Sequence, residues 1–294
     1  MCNNIKNTIK AGIFNVISII NNKGGVGKTA TTLILAELLA YLGFRVLVLD
    51  LDGQSNVSLT LHSYVKESLS SVSGRTAPEQ ENIFEVFVDR LKEKTEITRL
   101  IKHTNILGVD IIPSSNRFNN IEKNLEDCYK SPFILSKAIK AVKEDYDFVL
   151  IDNSPSMNFF TLNSIVASDY IITPVRSEDY SKKGVVEILD KLNQIKDEYD
   201  LDNVKFLGAF LTQADSRTNV YKECVQEYKD EIADKFFNTC IRRDTKIEQM
   251  QKKHIPMLQL SNDSNALIDY CNLLLEMDIL PDEAKEKLIM SISA

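Results

Sequence analysis

The stretch NNKGGVGKTATT, residues 21–32, decides the fold of this chain. Three glycines fall within its four residues 24–27, and a lysine stands on either side of them, Lys23 and Lys28. Glycines packed this closely indicate a tight turn whose backbone can approach a ligand. One lysine is explained by a bound phosphate, so the other needs a separate role.

The segments around this stretch supply its structural context. NVISIIN (15–21) is apolar and β-branched, which is typical of a buried strand. KTATTLILAELLAYLG (28–43) has helical apolar spacing and ends at a glycine, a natural C-cap. FRVLVLD (44–50) predicts a second buried strand. The order strand, glycine turn, helix, strand is a βαβ unit, which implies a parallel sheet with a right-handed crossover.

The same alternation continues along the chain. The pattern predicts strands at 108–114, 147–152, 169–175 and 204–212, and helices at 131–146, 158–168, 183–199, 218–231, 244–252 and 262–276. Ser131 and Pro132 are the expected N-cap and first residue of the 131–146 helix. We therefore predict one doubly wound α/β domain over residues 1–294, with a mobile insertion at 63–82 and a short terminal helix at 280–294.

Composition excludes several classes of protein. The net charge is −7, so DNA binding would need a local basic patch rather than a basic protein. The five cysteines and three histidines are scattered and contain no CxxC, which argues against a disulfide framework and a zinc site. No apolar run approaches the roughly 18–20 residues of a membrane span, and the N-terminus lacks a signal-peptide core. We expect a cytoplasmic protein.

The segment GGVGKT sits between a predicted strand and a predicted helix, the context that a phosphate loop requires. Lys23 takes the place of the first glycine of the strict phosphate-loop spacing, but Lys28 and Thr29 still follow Gly27 directly. Backbone N–H groups and the positive end of the helix would cradle phosphates. Lys28 would reach the β- and γ-phosphates, and the Thr29 hydroxyl would ligate Mg²⁺.

Carboxylates follow two further predicted strands. In VLVLDLDGQSN (46–56), Asp50 and Asp52 share a face if the strand persists, and this end of the strand faces the ligand crevice of an open parallel sheet. Two carboxylates beside a triphosphate require Mg²⁺ between them or a role in handling water. In YDFVLIDNSPS (146–156), four apolar residues lead to Asp152, the pattern of a Walker B aspartate that holds Mg²⁺, usually through water.

Together these motifs resemble those of the ParA/MinD group of ATPases. KGGVGKT resembles their deviant Walker A motif, LDLDGQSN (49–56) their switch-I segment and DYDFVLIDNSPS (145–156) their Walker B segment. FLTQADSRTNVYKECVQE (210–227) and FFNTCIRRDTKIEQMQKKHIPM (236–257) resemble the ParA/Soj partition branch. The resemblance covers residues 14 to 276 and implies a P-loop NTPase fold.

The resemblance also implies roles for individual residues. Lys23 is expected to reach across a dimer interface to phosphates bound by the other subunit, and Asp52 to position the attacking water. Lys28 assists catalysis at the phosphates, and Thr29, Asp50 and Asp152 are the expected Mg²⁺ ligands or supports. The expected ATP contacts are Lys23, Gly24, Gly25, Val26, Gly27, Lys28, Thr29, Ala30 and, beside the adenine, Gln213 and Arg243.

The chain departs from the family pattern at three places. Ala30 stands where a second threonine usually bonds the α-phosphate, a loss of about 1 kcal/mol. Thr31 is not expected to substitute, because one helical step rotates its side chain by roughly 100°. Asn22 replaces a common glutamine, and Asn153-Ser154 replaces the pair that usually follows Walker B.

The resemblance implies an ATP-dependent homodimer that binds DNA nonspecifically and a ParB-like, centromere-binding adaptor that stimulates hydrolysis. The protein would then associate with the nucleoid, and no membrane partner is expected. The candidate DNA contacts are Arg217, Arg242, Lys246, Lys252 and Lys253. A charge run such as 240–254 is usually a solvated helix face, and the family resemblance favours DNA contact.

Three alternatives stay open. A MinD-like membrane-positioning ATPase needs a basic amphipathic C-terminal helix, which DEAKEKLIMSISA (282–294) resembles weakly. A metal-cluster reductase of the nitrogenase iron-protein type needs paired interfacial cysteines, which are missing near the expected switch segments. An ATP switch that positions a protein cargo without touching DNA is the third.

Overall fold

The computed structural model describes residues 12–61, 81–114, 131–177, 182–261 and 263–292. The predicted insertion at 63–82 lies outside the described residues except for its last two. Seven strands are described: β1 (Asn15–Ile19), β2 (Val46–Leu51), β3 (Lys102–His103), β4 (Val109–Ile112), β5 (Phe148–Asn153), β6 (Tyr170–Arg176) and β7 (Lys205–Thr212). They form one sheet in the order β3-β4-β2-β5-β1-β6-β7.

The sheet is parallel apart from the short β3, which pairs antiparallel with β4. Its helices are α1 (Lys28–Leu42), α2 (Asn56–Leu61), α3 (Phe84–Val88), α4 (Lys94–Leu100), α5 (Ile134–Ala141), α6 (Phe159–Ala167), α7 (Lys182–Tyr199), α8 (Asn219–Ile232), α9 (Thr245–Lys253), α10 (Met257–Leu260), α11 (Asn265–Glu276) and α12 (Asp282–Ile292). This architecture confirms the predicted doubly wound α/β fold. That the whole chain is one domain stays a prediction.

Apolar side chains on both faces of the sheet account for its position between helices. Ile17, Val48 and Leu150 face α1, α11 and α12 in one buried cluster. Val149 and Ile151 face α5 and α6 in a second cluster on the opposite side. Strands buried on both faces read as continuous apolar runs, which is why the sequence predicts them well. Within the described ranges, no helix has both the length and the apolar composition needed to cross a bilayer.

Helix α1 follows the prediction, and α5 does not. Gly43 caps α1 in the left-handed region (φ 103°), and its N–H donates to Ala40 O at 2.9 Å. The predicted start of α5 at Ser131 and Pro132 is wrong, because the helix begins at Ile134. The first α5 amides are satisfied by Asn163 Oδ1 of α6. A capping oxygen that belongs to another helix has no signature in the local sequence.

A buried carboxylate joins α1 to α10. Glu37 is 4% exposed, and its oxygens accept the backbone N–H groups of Met257 (2.8 Å) and Leu258 (3.0 Å). These are the first amides of α10, which have no partner within the helix. Burial raises the pKa of Glu37 to about 7, although the two amide bonds oppose the shift. Glu37 therefore fixes the C-terminal segment against the helix that follows the glycine loop.

We expect Glu37 to make stability depend on pH. The native state holds this proton more tightly than the unfolded chain, so its contribution to the free energy of unfolding falls as pH rises from about 4.5 to about 7. The loss is on the order of 3 kcal/mol. In Glu37→Gln, urea unfolding across this range should show a shallower decline. The exposed Glu286→Gln should behave like the parent protein, and equal slopes for all three proteins would contradict the assignment.

Candidate functional site

The glycine loop lies between β1 and α1 at the carboxyl edge of the sheet. Gly25 (φ 76°) and Gly27 (φ 98°) both occupy the left-handed region, which favours glycine. Gly27 is the N-cap of α1, and its carbonyl accepts Thr31 N–H at 2.9 Å. The first α1 amides and the positive end of the helix dipole therefore point into the loop, an arrangement that binds anions.

The Lys28 side chain bonds back to the start of this loop. Its Nζ donates to the carbonyl oxygens of Asn21 (3.0 Å) and Lys23 (2.9 Å), which stand at the start of the loop. The side chain is buried, and burial lowers the pKa of Lys28, while attraction to Asp152 and Asp52 opposes the shift. The ammonium is thereby held within the glycine loop, close to the Asp152 and Asp52 carboxylates.

Strand register places the two predicted metal-site carboxylates side by side. Asp50 of β2 pairs with Asp152 of β5 in the parallel ladder. Asp152 Oδ2 accepts the Thr29 hydroxyl at 2.9 Å, and Asp50 Oδ2 accepts the Ser58 hydroxyl at 2.6 Å. Burial raises the pKa of both carboxyl groups, and repulsion from Asp50 raises that of Asp152 further.

This donor set fits Mg²⁺. Two carboxylates and the Thr29 hydroxyl are hard oxygen ligands, and both carboxyl groups have raised pKa values that a neighbouring cation would lower. In the described residues, no group of three or more His, Cys, Asp or Glu side chains could hold a metal by itself. Mg²⁺ commonly takes one or two carboxylates and completes its shell with water and substrate phosphates.

Asp52 stands apart from the buried pair. It is half-buried, and its Oδ1 accepts Gln54 N–H at 2.9 Å. Its backbone N–H donates to Asp50 Oδ1 at 3.1 Å, and its carbonyl accepts the Ser114 hydroxyl at 2.7 Å. The backbone at Asp52 is thus fixed from two sides, and the carboxylate faces the cavity described below.

The end of β7 supports the glycine loop from the other side. Thr212 Oγ1 donates to Val26 O (2.8 Å), and Gln213 Nε2 donates to Gly25 O (3.1 Å). Gln213 lies in the left-handed region with φ 52°. Arg243 N–H donates to Ala214 O at 3.1 Å, so the two segments predicted to border an adenine lie beside each other.

A cavity of about 220 Å³ brings most of these residues together. Its wall consists of Gly24, Gly25, Gly27, Lys28, Thr29, Ala30, Asp52, Asn56, Pro155, Gln213, Ile247 and Gln251. Asn56, Pro155, Ile247 and Gln251 were missed by the sequence reasoning. The i, i+4 spacing of Ile247 and Gln251 is the one signal that could have placed both on a single face of α9.

Other predicted site residues lie outside that wall. The half-buried Lys23 is anchored through its backbone, whose N–H donates to Asn21 Oδ1 at 2.9 Å. Val26 is fully buried behind the loop, and Arg243 is exposed. Asp50 and Asp152 lie beneath the cavity, in contact with Ser58 and Thr29. Their predicted roles toward ATP and Mg²⁺ stay predictions.

Ala30 and Thr31 take the positions expected of them. Ala30 is part of the cavity wall, whereas the Thr31 hydroxyl is 3.0 Å from Tyr270 Oη in the core. Thr31 is fully buried and points toward α11. The structure confirms that Thr31 does not replace the hydroxyl missing at position 30.

Two predicted DNA contacts have partners in the structure. Arg242 forms a bidentate ion pair with the buried Asp269, with its shortest contact at 2.7 Å, and Arg217 pairs with Asp215 at 2.8 Å. Both guanidinium groups therefore have a structural contact that the sequence did not predict. Lys246 is half-buried, and Lys252 and Lys253 are exposed at the end of α9.

Comparisons with known proteins agree with this fold. A sequence profile described as an AAA domain matches residues 14–206. The chain is 29% identical over 262 residues to the sporulation initiation inhibitor protein Soj of Bacillus subtilis, covering 89% of this chain and 97% of that protein.

Solved structures share the fold. A plasmid partition protein of Borrelia burgdorferi B31, solved with AMPPNP bound, superimposes with a TM-score of 0.71 at 22% identity, covering 89% of this chain and 97% of that chain. Apo McdA from Cyanothece superimposes with a TM-score of 0.72 at 18% identity, covering 94% of this chain and 99% of that chain.

Proposed function

The chain belongs to the ParA/Soj-type family of P-loop ATPases with a deviant Walker A motif, and on this premise we propose that it is an Mg²⁺-dependent ATPase for plasmid or chromosome partition. Its ATP-bound form is a sandwich dimer that binds DNA without sequence preference. A ParB-like adaptor bound to the centromere stimulates hydrolysis and releases the dimer from DNA.

One observation carries the proposal. Lys28, Thr29 and Asp52 line one cavity at the carboxyl edge of the sheet, and the Asp50–Asp152 pair lies directly beneath it. A phosphate loop, a pair of carboxylates suited to Mg²⁺ and a further carboxylate facing the cavity are the parts that nucleoside triphosphate hydrolysis needs. The similarity to Soj and to a plasmid partition protein supports assignment to the partition branch of the family.

Each group has a distinct task in this proposal. The amides of the glycine loop and the Lys28 ammonium bind the β- and γ-phosphates and stabilise their negative charge. Thr29, Asp50 and Asp152 hold Mg²⁺, which supplies charge neutralisation at the phosphate oxygens when it is bound. Asp52 orients the attacking water and takes its proton, because its carboxylate faces the cavity while its backbone is fixed.

Two features support the proposed dimer: the small volume of the cavity and the position of Lys23 outside its wall. Ligand pockets usually enclose about 300–1,000 Å³, so a cavity of about 220 Å³ encloses a nucleotide only in part. A facing subunit would complete the enclosure. Lys23 lies on the loop outside the cavity wall, and its charge would meet the γ-phosphate of the other subunit. Loss of the γ-phosphate then loosens the dimer.

The DNA surface lies at the C-terminal end of α9. Lys252 and Lys253 are exposed there, and Lys246 is the second residue of the same helix. Phosphate neutralisation by a few lysines explains binding without sequence preference in a protein of net charge −7. Arg242 and Arg217 contribute less in this proposal, because each guanidinium already has a carboxylate partner.

DNA binding in three nucleotide states tests the proposal. Purified protein should bind a nonspecific duplex with Mg²⁺-ATP, and bind weakly with Mg²⁺-ADP or without nucleotide, when fluorescence anisotropy is measured at several salt concentrations. Binding that is independent of nucleotide, or missing in every state, would contradict the partition function. Pelleting with anionic liposomes tests membrane positioning, which the exposed Ile289 and Met290 of α12 would mediate.

We expect Lys252→Ala and Lys253→Ala each to weaken ATP-dependent DNA binding at all sequences tested. Each substitution removes one phosphate contact, so the slope of log K against log salt should become less negative by about 1. The exposed Lys191→Ala of α7 is the matched control and should keep the parent slope. Equal slopes for all four proteins would place the DNA surface elsewhere.

A further inference from the structure

Helix α9 contributes one of its faces to the nucleotide cavity. Ile247 and Gln251 are four residues apart, and both line the cavity that Ala30 and the glycine loop also line. The sequence motifs place the phosphate contacts in the loop and at α1, so they leave these two side chains without a role.

The position of α9 is fixed by three contacts. Asp244 caps its first turn, with Oδ1 accepting Lys246 N–H at 2.9 Å, and its Oδ2 accepts Ala266 N–H of α11 at 3.2 Å. Met250, three residues after Ile247, is 1% exposed and anchors the adjoining side of the helix in the core. A helix held in this way presents Ile247 and Gln251 to the cavity in a defined orientation.

Most polar side chains of the cavity wall already have hydrogen-bond partners. The Lys28 ammonium bonds two carbonyls of the loop, the Thr29 hydroxyl bonds Asp152, and the Gln213 amide bonds Gly25 O. Gln251 is exposed, and its carboxamide makes no hydrogen bond to any residue that the structure describes. It is therefore available to a ligand.

At Ala30 the cavity wall has no side-chain hydrogen-bond donor for a ligand. Ala30 is the third residue of α1 and belongs to the cavity wall, and its methyl side chain can donate no hydrogen bond. An anionic phosphate oxygen at this part of the wall gains from each additional donor, because hydrogen bonds to charged groups are stronger than those between neutral groups. The carboxamide of Gln251 is a donor from the facing helix.

We propose that Gln251 is a nucleotide-binding residue of this chain, donating its amide N–H to the ribose–α-phosphate portion of the bound nucleotide in place of the hydroxyl that Ala30 lacks. Ile247 packs against the sugar beside it. The inference rests on the proposed ATP site, and it assigns to α9 a contact that ADP and ATP share.

Nucleotide affinity tests this assignment. Titration of Mg²⁺-ADP by isothermal calorimetry should show about tenfold weaker binding for Gln251→Ala than for the parent chain. The exposed Gln259→Ala of α10 is the matched control and should bind like the parent. Thermal melting of Gln251→Ala without nucleotide should be unchanged, which separates a ligand contact from a structural role.

The Ala30→Thr background tests the replacement itself. If the two positions supply the same contact, Gln251→Ala should cost less than about threefold in Ala30→Thr, because the hydroxyl restores the donor. Parent-like affinity for Gln251→Ala, or the same tenfold loss in both backgrounds, would overturn the proposal. If the parent chain bound no Mg²⁺-ADP or Mg²⁺-ATP, the ATPase proposal itself would fail. Nucleotide binding without ATP-dependent DNA binding would contradict the partition function but not the ATPase proposal.

Discussion

Asp52→Asn is expected to reduce ATP hydrolysis by about 10²–10⁴-fold while nucleotide affinity changes little. The asparagine keeps the shape of the side chain and can still accept a hydrogen bond from Gln54 N–H, but it cannot take a proton from water. Steady-state phosphate release and calorimetric binding of Mg²⁺-ATP measure the two quantities. Accumulation of an ATP-bound dimer should accompany the loss of turnover.

The control for this experiment is Asp202→Asn, which removes an exposed carboxylate between α7 and β7. It should hydrolyse ATP at the parent rate. Unchanged turnover in Asp52→Asn would assign the water-handling role to another residue. A parallel loss of Mg²⁺-ATP affinity would instead place Asp52 among the metal or phosphate contacts.

Lys23→Gln should weaken the ATP-dependent dimer by about 100-fold or more. A charge contact to the γ-phosphate in a partly enclosed interface is a charge-assisted hydrogen bond, and its loss leaves phosphate charge unmatched where the subunits meet. Light scattering after size exclusion, in the hydrolysis-deficient Asp52→Asn background with Mg²⁺-ATP, measures the dimer. The variant should elute as a monomer at concentrations where the parent background is dimeric.

Nucleotide binding by the isolated subunit separates the two roles that Lys23 could have. If the lysine acts across the interface, Mg²⁺-ADP affinity of Lys23→Gln stays within about twofold of the parent, and Lys23→Arg recovers part of the dimer because it keeps the positive charge. Normal dimerisation of Lys23→Gln contradicts the role in trans. A large drop in monomer affinity would place Lys23 in its own site, beside Lys28.

The fold could be predicted from local patterns because the parallel sheet makes those patterns strong. Strands buried on both faces leave uninterrupted apolar runs, as in β2 and β5, and the glycines at positions 25 and 27 mark the turn where the backbone enters the left-handed region. Asp50 and Asp152 could be placed because carboxyl ends of neighbouring parallel strands meet at one edge.

The remaining features arise from contacts between distant segments. The start of α5 depends on Asn163, the position of α10 on Glu37, and the contact of Arg242 on Asp269. Each partner is remote in sequence and belongs to another element, so no local spacing reports it. Gln251 was missed for the same reason, since its place in the cavity follows from how α9 packs against α2 and α10.

The hydrogen bond between Thr29 and Asp152 has a consequence for how the protein folds. It joins residues 123 positions apart, and β1 lies between β5 and β6 in the sheet. No N-terminal fragment that ends before β5 can contain both groups, so a growing polypeptide cannot form this site before Asp152 has been added. Contacts of such high contact order slow folding, and a ligand that binds them stabilises the assembled sheet against global unfolding.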